Sequence, residues 1–167
     1  MTSEYGVVRK LAPSDPVAGF DCGEPGLNNY LQRFALAGQR GNSAQTYVVV
    51  AGAEIAGFYS LAVGAAAPAE ATGRVLKGLS RQPVPVMLLA RLAVALPHQG
   101  RGLGTALMRD ALLRTAAAAD IAGIRALLVH AKDEAARRFY LRYEFEPSPT
   151  DPLHLFLLLK DLKALLR

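Results

Sequence analysis

The feature that most limits what this chain can fold into is a near-continuous apolar run, Pro83 to Ala95. It leads through Leu96-Pro97-His98 into Gln99-Gly100-Arg101-Gly102-Leu103-Gly104, and then directly into a stretch of helical periodicity. Such a run reads as a strand buried on both faces, and the glycines at 100, 102 and 104 predict a tight turn after it. Gly104, Leu107, Met108, Ala111, Leu112 and Thr115 then share one face of a helix from about Gly102 to Ala119, with Arg109, Asp110 and Arg114 on the other. Strand, glycine turn and helix in this order form an anion-binding arrangement. First-turn N–H groups lack intrahelical partners, and the helix dipole adds positive charge there. Glycine lets the main chain approach a phosphate closely, and Arg101 and Thr105 would add a charge and a hydroxyl. The turn alone also fits a plain helix cap. A Rossmann site needs G-x-G-x-x-G in the first βαβ unit, and a P-loop needs Gly-Lys-Ser/Thr at its end. The spacing here is G-x-G-x-G, past mid-chain, and fits neither.

Around this element the chain alternates between the two periodicities. Gly6–Leu11 predicts a first strand, and Leu27, Tyr30, Leu31, Phe34 and Ala35 the apolar face of a helix to about Gly38. Thr46–Val50 and Ile55–Val63 predict a hairpin. Residues 64–82 form a long connection with one short helix at most. Ile124–His130 predicts a buried strand, and 132–142 a helix with Asp133–Arg137 and Glu134–Arg138 pairs at i, i+4. Strands near Phe145 and over 153–159 and a basic C-terminal tail complete the order. The expectation is an α/β (α+β) fold in one domain over 1–167, a mixed central sheet with helices on both faces.

Composition serves mainly to exclude. A hydrophobic share of 51% against 20% charged is globular. Apolar runs of about ten residues fall short of the ~20 that span a bilayer, and no signal peptide is apparent at the N-terminus, so a cytoplasmic location is expected. Cys22 lies between Asp21 and Glu24, acids that would raise its pKa, so a structural role is expected rather than a nucleophile. Three scattered histidines and one cysteine predict no metal site. Net charge is +5, and 14 of 19 basic residues are arginine; that balance suits a polyanion such as RNA or a cofactor phosphate.

Two motifs then bring a family into view. Gln99-x-x-Gly102-x-Gly104, after Arg91-Leu92-Ala93-Val94, resembles the acetyl-CoA signature (Q/R-x-x-G-x-G/A) of GNAT acetyltransferases. His130-Ala131-Lys132-Asp133-Glu134-Ala135-Ala136-Arg137-Arg138-Phe139-Tyr140-Leu141-Arg142-Tyr143-Glu144-Phe145 resembles their second half-motif, N-x-x-A-x-x-x-Y-x-x-x-G-F. Asp133 stands where asparagine is usual, and Glu144 where glycine is usual; the second departure predicts a different turn. The resemblance implies a strand near 91–94 splayed from that at 124–130, with acetyl-CoA as co-substrate. The backbone of Leu92, Ala93 and Val94 would meet the pantetheine arm. Gln99, Gly100, Arg101, Gly102, Leu103, Gly104 and Thr105 would hold the pyrophosphate, and Asp133 would supply a further cofactor contact. Tyr140 would be the catalytic acid for the leaving thiolate. His98, just before the glycine turn, would cap it or contact phosphate, and His130, ending a buried strand, is expected to be structural rather than catalytic.

The likeness narrows further over most of the chain. Phe20-Asp21-Cys22-Gly23-Glu24-Pro25, Pro83–Val94, Ala122–Ala135 and Pro147-Ser148-Pro149 are similar to the GNAT toxins of type II toxin–antitoxin systems. That group implies transfer of acetyl to the α-amine of aminoacyl-tRNA, which blocks translation, and neutralisation by a ribbon-helix-helix antitoxin. Arg40, Arg74, Lys77, Arg81 and Arg91 are candidate tRNA contacts, and a homodimer would fit a tRNA-sized surface. Two other readings stay open: an acetyltransferase of a small amine or protein N-terminus, and a non-catalytic acyl-CoA-binding module.

Overall fold

The computed structural model describes residues 4–80 and 82–167. The chain forms two compact units, unit 1 of Met1–Ala62 with Ala90–Ala111 and unit 2 of Val63–Leu89 with Leu112–Arg167.

In unit 1, β1 (Arg9–Lys10), β2 (Gln45–Ala51) and the first part of β3 (Glu54–Ala66) pair antiparallel. Thr46, Val48, Phe58 and Ser60 are fully buried, and a bulge between Val49 and Val50 precedes the turn at Gly52, which takes φ +58°. The first strand is shorter than Gly6–Leu11 predicted. Only Arg9–Lys10 forms a ladder, and Tyr5 reaches the edge through an isolated bridge to Ala51. The predicted helix is longer at both ends. It runs as α1 (Pro25–Asn29), a π turn (Tyr30–Phe34) and α2 (Ala35–Arg40), with Pro25 preorganising its first turn. Leu31 and Ala35 pack with Leu11, Phe20, Val48, Ile55 and Phe58. The wider π turn shifts the helical phase, so Phe34, predicted on the apolar face, is instead 55% exposed.

The second segment of unit 1 carries the end of β4 (Val84–Val94), the glycine turn and the start of α4 (Leu103–Ala119). Leu107, Met108, Ala111, Leu112 and Thr115 are buried as the periodicity predicted. Asp110, predicted outward, is half-buried and accepts a 2.5 Å hydrogen bond from Tyr59. The approach to α4 is close: a Cβ at Gly57 would lie 2.9 Å from Leu107 Cδ1 and 3.1 Å from Ala93 O.

In unit 2, β4 starts at Val84 and pairs parallel with β5 (Ala126–His130). β6 (Glu146–Pro147) pairs antiparallel with β7 (His154–Leu158), and β7 with β5, giving the order β4-β5-β7-β6. Parallel and antiparallel pairing coexist, as expected of a mixed α/β fold. Of the predicted connection, residues 64–80 are more ordered than a loop. They extend β3 to Ala66, then form a 3-10 turn (Pro68–Glu70) and α3 (Gly73–Leu76), whose N-cap Thr72 accepts from the Val75 N–H. Val75 packs with Val84, Val86, Ala126, Leu128 and Phe156. α5 is Glu134–Leu141. The predicted C-terminal tail is a helix, α6 (Leu159–Leu165), because Leu159, Leu162 and Leu166 recur at helical spacing and Leu162 is fully buried.

Candidate functional site

The glycine turn has the backbone that an anion cradle needs. Gly100 and Gly102 take φ +79° and +83°, a left-handed region costly for any residue with a side chain. Nothing lies within 4 Å of a Cβ built at either glycine, so the requirement is conformational and the space before them is open. The first intrahelical bond of α4 runs from the Ala106 N–H to Gly102 O. The amides of Leu103, Gly104 and Thr105 therefore belong to the helix's unpartnered first turn, and Thr105 is exposed beside them. Arg101 is exposed too and forms an ion pair with Glu4 at 2.5 Å. Tyr5, Gly6, Val8, Arg101, Gly102 and Leu103 border a hollow of about 310 Å³ in front of this turn.

The turn is anchored from below. His98 is only 7% exposed; its Nδ1 meets the Tyr5 hydroxyl at 3.0 Å and its Nε2 lies 2.5 Å from Glu54 Oε1. With both ring nitrogens engaged, its role is support. Gln99 turns its side-chain amide inward, donating to Val94 O at 2.9 Å and Cys22 O at 3.2 Å. Its contribution to an anion site is thus to fix the turn against the end of β4. Cys22 is buried and accepts the Gln99 contact on its carbonyl, in keeping with a structural role. The sequence reading missed Glu4, Tyr5 and Glu54; none lies in a motif, and only the fold brings them to His98 and Arg101.

The parallel ladder of β4 with β5 ends at Leu89↔Val129, and Ala90 to Val94 continue in unit 1 beyond the last pair. Pairing thus stops where the resemblance puts the splay, and Leu92 and Val94 are half-buried.

Unit 2 carries the second motif on α5. Asp133 is its N-cap, accepting from the Ala136 N–H at 2.8 Å. That capping replaces the predicted Asp133–Arg137 pair. Arg137 instead donates to Glu134 at 3.1 Å and to Pro152 O at 3.0 Å, while Glu134–Arg138 forms at 3.8 Å. Tyr140 is 7% exposed, edge-on to Phe139 and Phe145. Burial pushes its phenol pKa well above the ordinary value of 10, so it keeps its proton. Glu144 takes φ +65°. The turn is therefore the left-handed one that glycine usually makes, and not the different turn predicted. His130, at the end of β5, stacks on His154 with ring centroids 3.9 Å apart. Partial burial, then the neighbouring His154, lowers its pKa.

The candidate tRNA contacts scatter. Arg40 is exposed at the end of α2. Arg91 stacks over the Tyr30 ring, 3.6 Å from its centroid. Arg74 is held by Asp161 and Glu146 at 2.5 and 3.0 Å, and Lys77 is exposed just after α3. Arg81 lies outside the described residues. No described helix is long and apolar enough to cross a membrane.

Comparison with known proteins gives these features a context. A family model described as an acetyltransferase (GNAT) domain matches residues 42–147. Over 164 residues the chain is 48% identical to a tRNA-acetylating toxin of Mycobacterium tuberculosis (strain ATCC 25618 / H37Rv), covering 98% of each chain. AtaT complexed with acetyl-methionyl-tRNAfMet matches with a TM-score of 0.86 at 26% identity, over 96% of this chain and 99% of that one. A tyrosine-to-phenylalanine mutant of AtaT, bound to the C-terminus of the antitoxin AtaR and acetyl-CoA, matches at 0.80 with 25% identity, over 95% and 96%.

Proposed function

The chain belongs to the GNAT acetyltransferases, and from that membership we propose that it moves acetyl from acetyl-CoA to the α-amine of aminoacyl-tRNA and so blocks translation. It is an acetyl-CoA-dependent N-acetyltransferase; the tRNA acceptor is the added step. The observation that carries it is 48% identity to a tRNA-acetylating toxin across 98% of both chains.

The chemistry asks little of a base. A peptide α-amine has a pKa of about 7.7–8.0, and an aminoacyl ester sits lower, so much of the acceptor is neutral at cellular pH. Its nitrogen lone pair attacks the thioester carbonyl; the C–N bond forms, the C–S bond breaks, the amine proton passes to solvent and the thiolate leaves. Tyr140 would protonate that thiolate, a role supported by its motif position and its retained proton. The Val94 N–H would polarise the carbonyl, and the backbone of Leu92 and Ala93 would hold the pantetheine arm. Gly100, Arg101, Gly102, Leu103, Gly104 and Thr105 would bind the pyrophosphate on a turn held by Gln99. Asp133 serves this site by setting the start of α5.

The same reading implies a ribbon-helix-helix antitoxin, a cytoplasmic location, a homodimer, and one GNAT domain over 1–167. The last is supported by a family match that draws on both units. To test the acceptor, purified protein is incubated with acetyl-CoA and total charged tRNA, and the released amino acids are read by mass spectrometry. N-acetylated amino acid is expected with wild type and not with Tyr140→Phe. Acetylation of small amines with none on tRNA would return the acceptor to the small-amine class.

A further inference from the structure

Charge is divided unevenly along this chain. Unit 2 holds twelve basic and eight acidic residues, a net +4, which leaves +1 for unit 1. Arg74, Lys77, Arg125, Lys160, Lys163 and Arg167 all line one hollow of about 630 Å³, with Ile124, Leu158 and Leu159 as its floor and no acid among its lining residues. Arg74 and Arg125 build the wall. Arg74 is held by Asp161 and Glu146, while Arg125 donates to Val75 O at 2.9 Å and Lys77 O at 2.8 Å, tying α3 to the start of β5. Lys163 makes a 3.6 Å contact with exposed Asp120. Lys77, Lys160 and Arg167 form no ion pair among the described residues and are exposed.

The hollow occupies one end of the β5–β7 pair. Ala126↔Leu158 lies at that end and His130↔His154 at the other, about 13 Å away at roughly 3.3 Å per residue. α5, which carries Tyr140, follows the His130 end. We propose that this hollow seats the phosphate backbone of the tRNA body, away from the aminoacyl end, and supplies tRNA affinity without taking part in acetyl transfer. The proposal rests on aminoacyl-tRNA being the acceptor. Lys160 and Lys163 stand at i and i+3 on α6, and Arg167 follows two residues past its end, so three cations from one short segment line the hollow. Six cationic side chains and no acid line the hollow, and phosphate-backbone contacts to nucleic acid need only such charge, without reading any base.

The test is binding of uncharged tRNA to wild type and to Lys160→Gln/Lys163→Gln over a salt series, with acetylation measured alongside. Both positions are exposed, so the fold is retained. The expected result is roughly tenfold weaker binding and a log–log salt slope shallower by about 2. kcat/KM on charged tRNA should fall in step, while turnover of 3′-aminoacyl-adenosine, which lacks the tRNA body, stays unchanged. Unchanged tRNA affinity and slope, with wild type active on charged tRNA, overturn the hollow's role and leave the acceptor reading intact. Loss of affinity for an acidic antitoxin segment with tRNA binding intact also overturns it, assigning the hollow to a protein partner. A wild type that acetylates no charged tRNA overturns the acceptor reading and this proposal with it.

Discussion

At the scale of the residue, Tyr140 and Glu144 show what a motif records and what it omits. Tyr140 was singled out by its resemblance to the family's motif, but its proton-holding burial was not legible there, because that depends on Phe145 and the packing around α5. Tyr140→Phe is expected to lower kcat by about 10²–10⁴ while calorimetry shows acetyl-CoA affinity unchanged. Burial raises the phenol pKa, so the proton donor persists through the pH range in which the acceptor amine becomes neutral. The kcat/KM profile should therefore rise towards about pH 8 and then stay level to pH 10; a descending limb below pH 10 would contradict the assignment. Glu144 pointed to an altered turn by residue type, yet its backbone keeps the left-handed geometry. A sequence pattern reports side chains and carries no φ. Glu144→Gly should relieve that strain and raise stability by about 0.5–1 kcal/mol in urea unfolding, since left-handed backbone costs roughly 1–2 kcal/mol and glycine's lost freedom offsets part of the gain.

At the scale of the element, the strand, glycine turn and helix were legible because each carries its own periodicity or punctuation. The helix over residues 25–40 was legible in its existence and in the burial of Leu31 and Ala35, but not in its π turn, where the extra residue broke the 3.6 rhythm and turned Phe34 to solvent. Gly102→Ala is expected to cost about 1–2 kcal/mol and to weaken acetyl-CoA binding measured by calorimetry. With open space around its Cβ, the penalty is one of backbone conformation, and a D-alanine introduced there by semisynthesis should restore stability. For α5 the N-cap decides. Asp133→Ala should cost about 0.5–2 kcal/mol and Asp133→Asn very little, both read from denaturant midpoints. That result would explain why aspartate stands in for the family's asparagine.

At the scale of the whole molecule, net charge pointed to a polyanion and gave no address for it. The basic hollow draws on residues 74, 125 and 160, which no sequence window contains together; the β5–β7 register and α6 assemble it. The single-domain proposal predicts one cooperative unfolding transition, coincident by far-UV circular dichroism and tyrosine fluorescence. Two separated transitions would mean that the two units fold independently. Acid sensitivity follows from the hollow's wall. Arg74 chiefly, by hydrogen bonding, holds the Asp161 carboxyl below the usual carboxylate range. The stabilisation from this pair is present above the unfolded pKa of about 4 and lost as pH falls through the lower folded value. Asp161→Asn should therefore be less stable than wild type near pH 6, by a small margin for a pair whose arginine is in solvent, with the gap closing towards pH 2.

The inward-facing Gln99 amide carries a thermodynamic consequence. It ties the glycine turn to both Val94 and Cys22, and His98 is clamped beneath the same turn. The cradle is therefore ordered before any ligand arrives, and the entropy of immobilising it is charged to folding. Acetyl-CoA association should then approach the rate of a rigid lock, with little conformational gating. Gln99→Ala would transfer that ordering cost to the binding step, appearing as a more unfavourable binding entropy at nearly constant enthalpy.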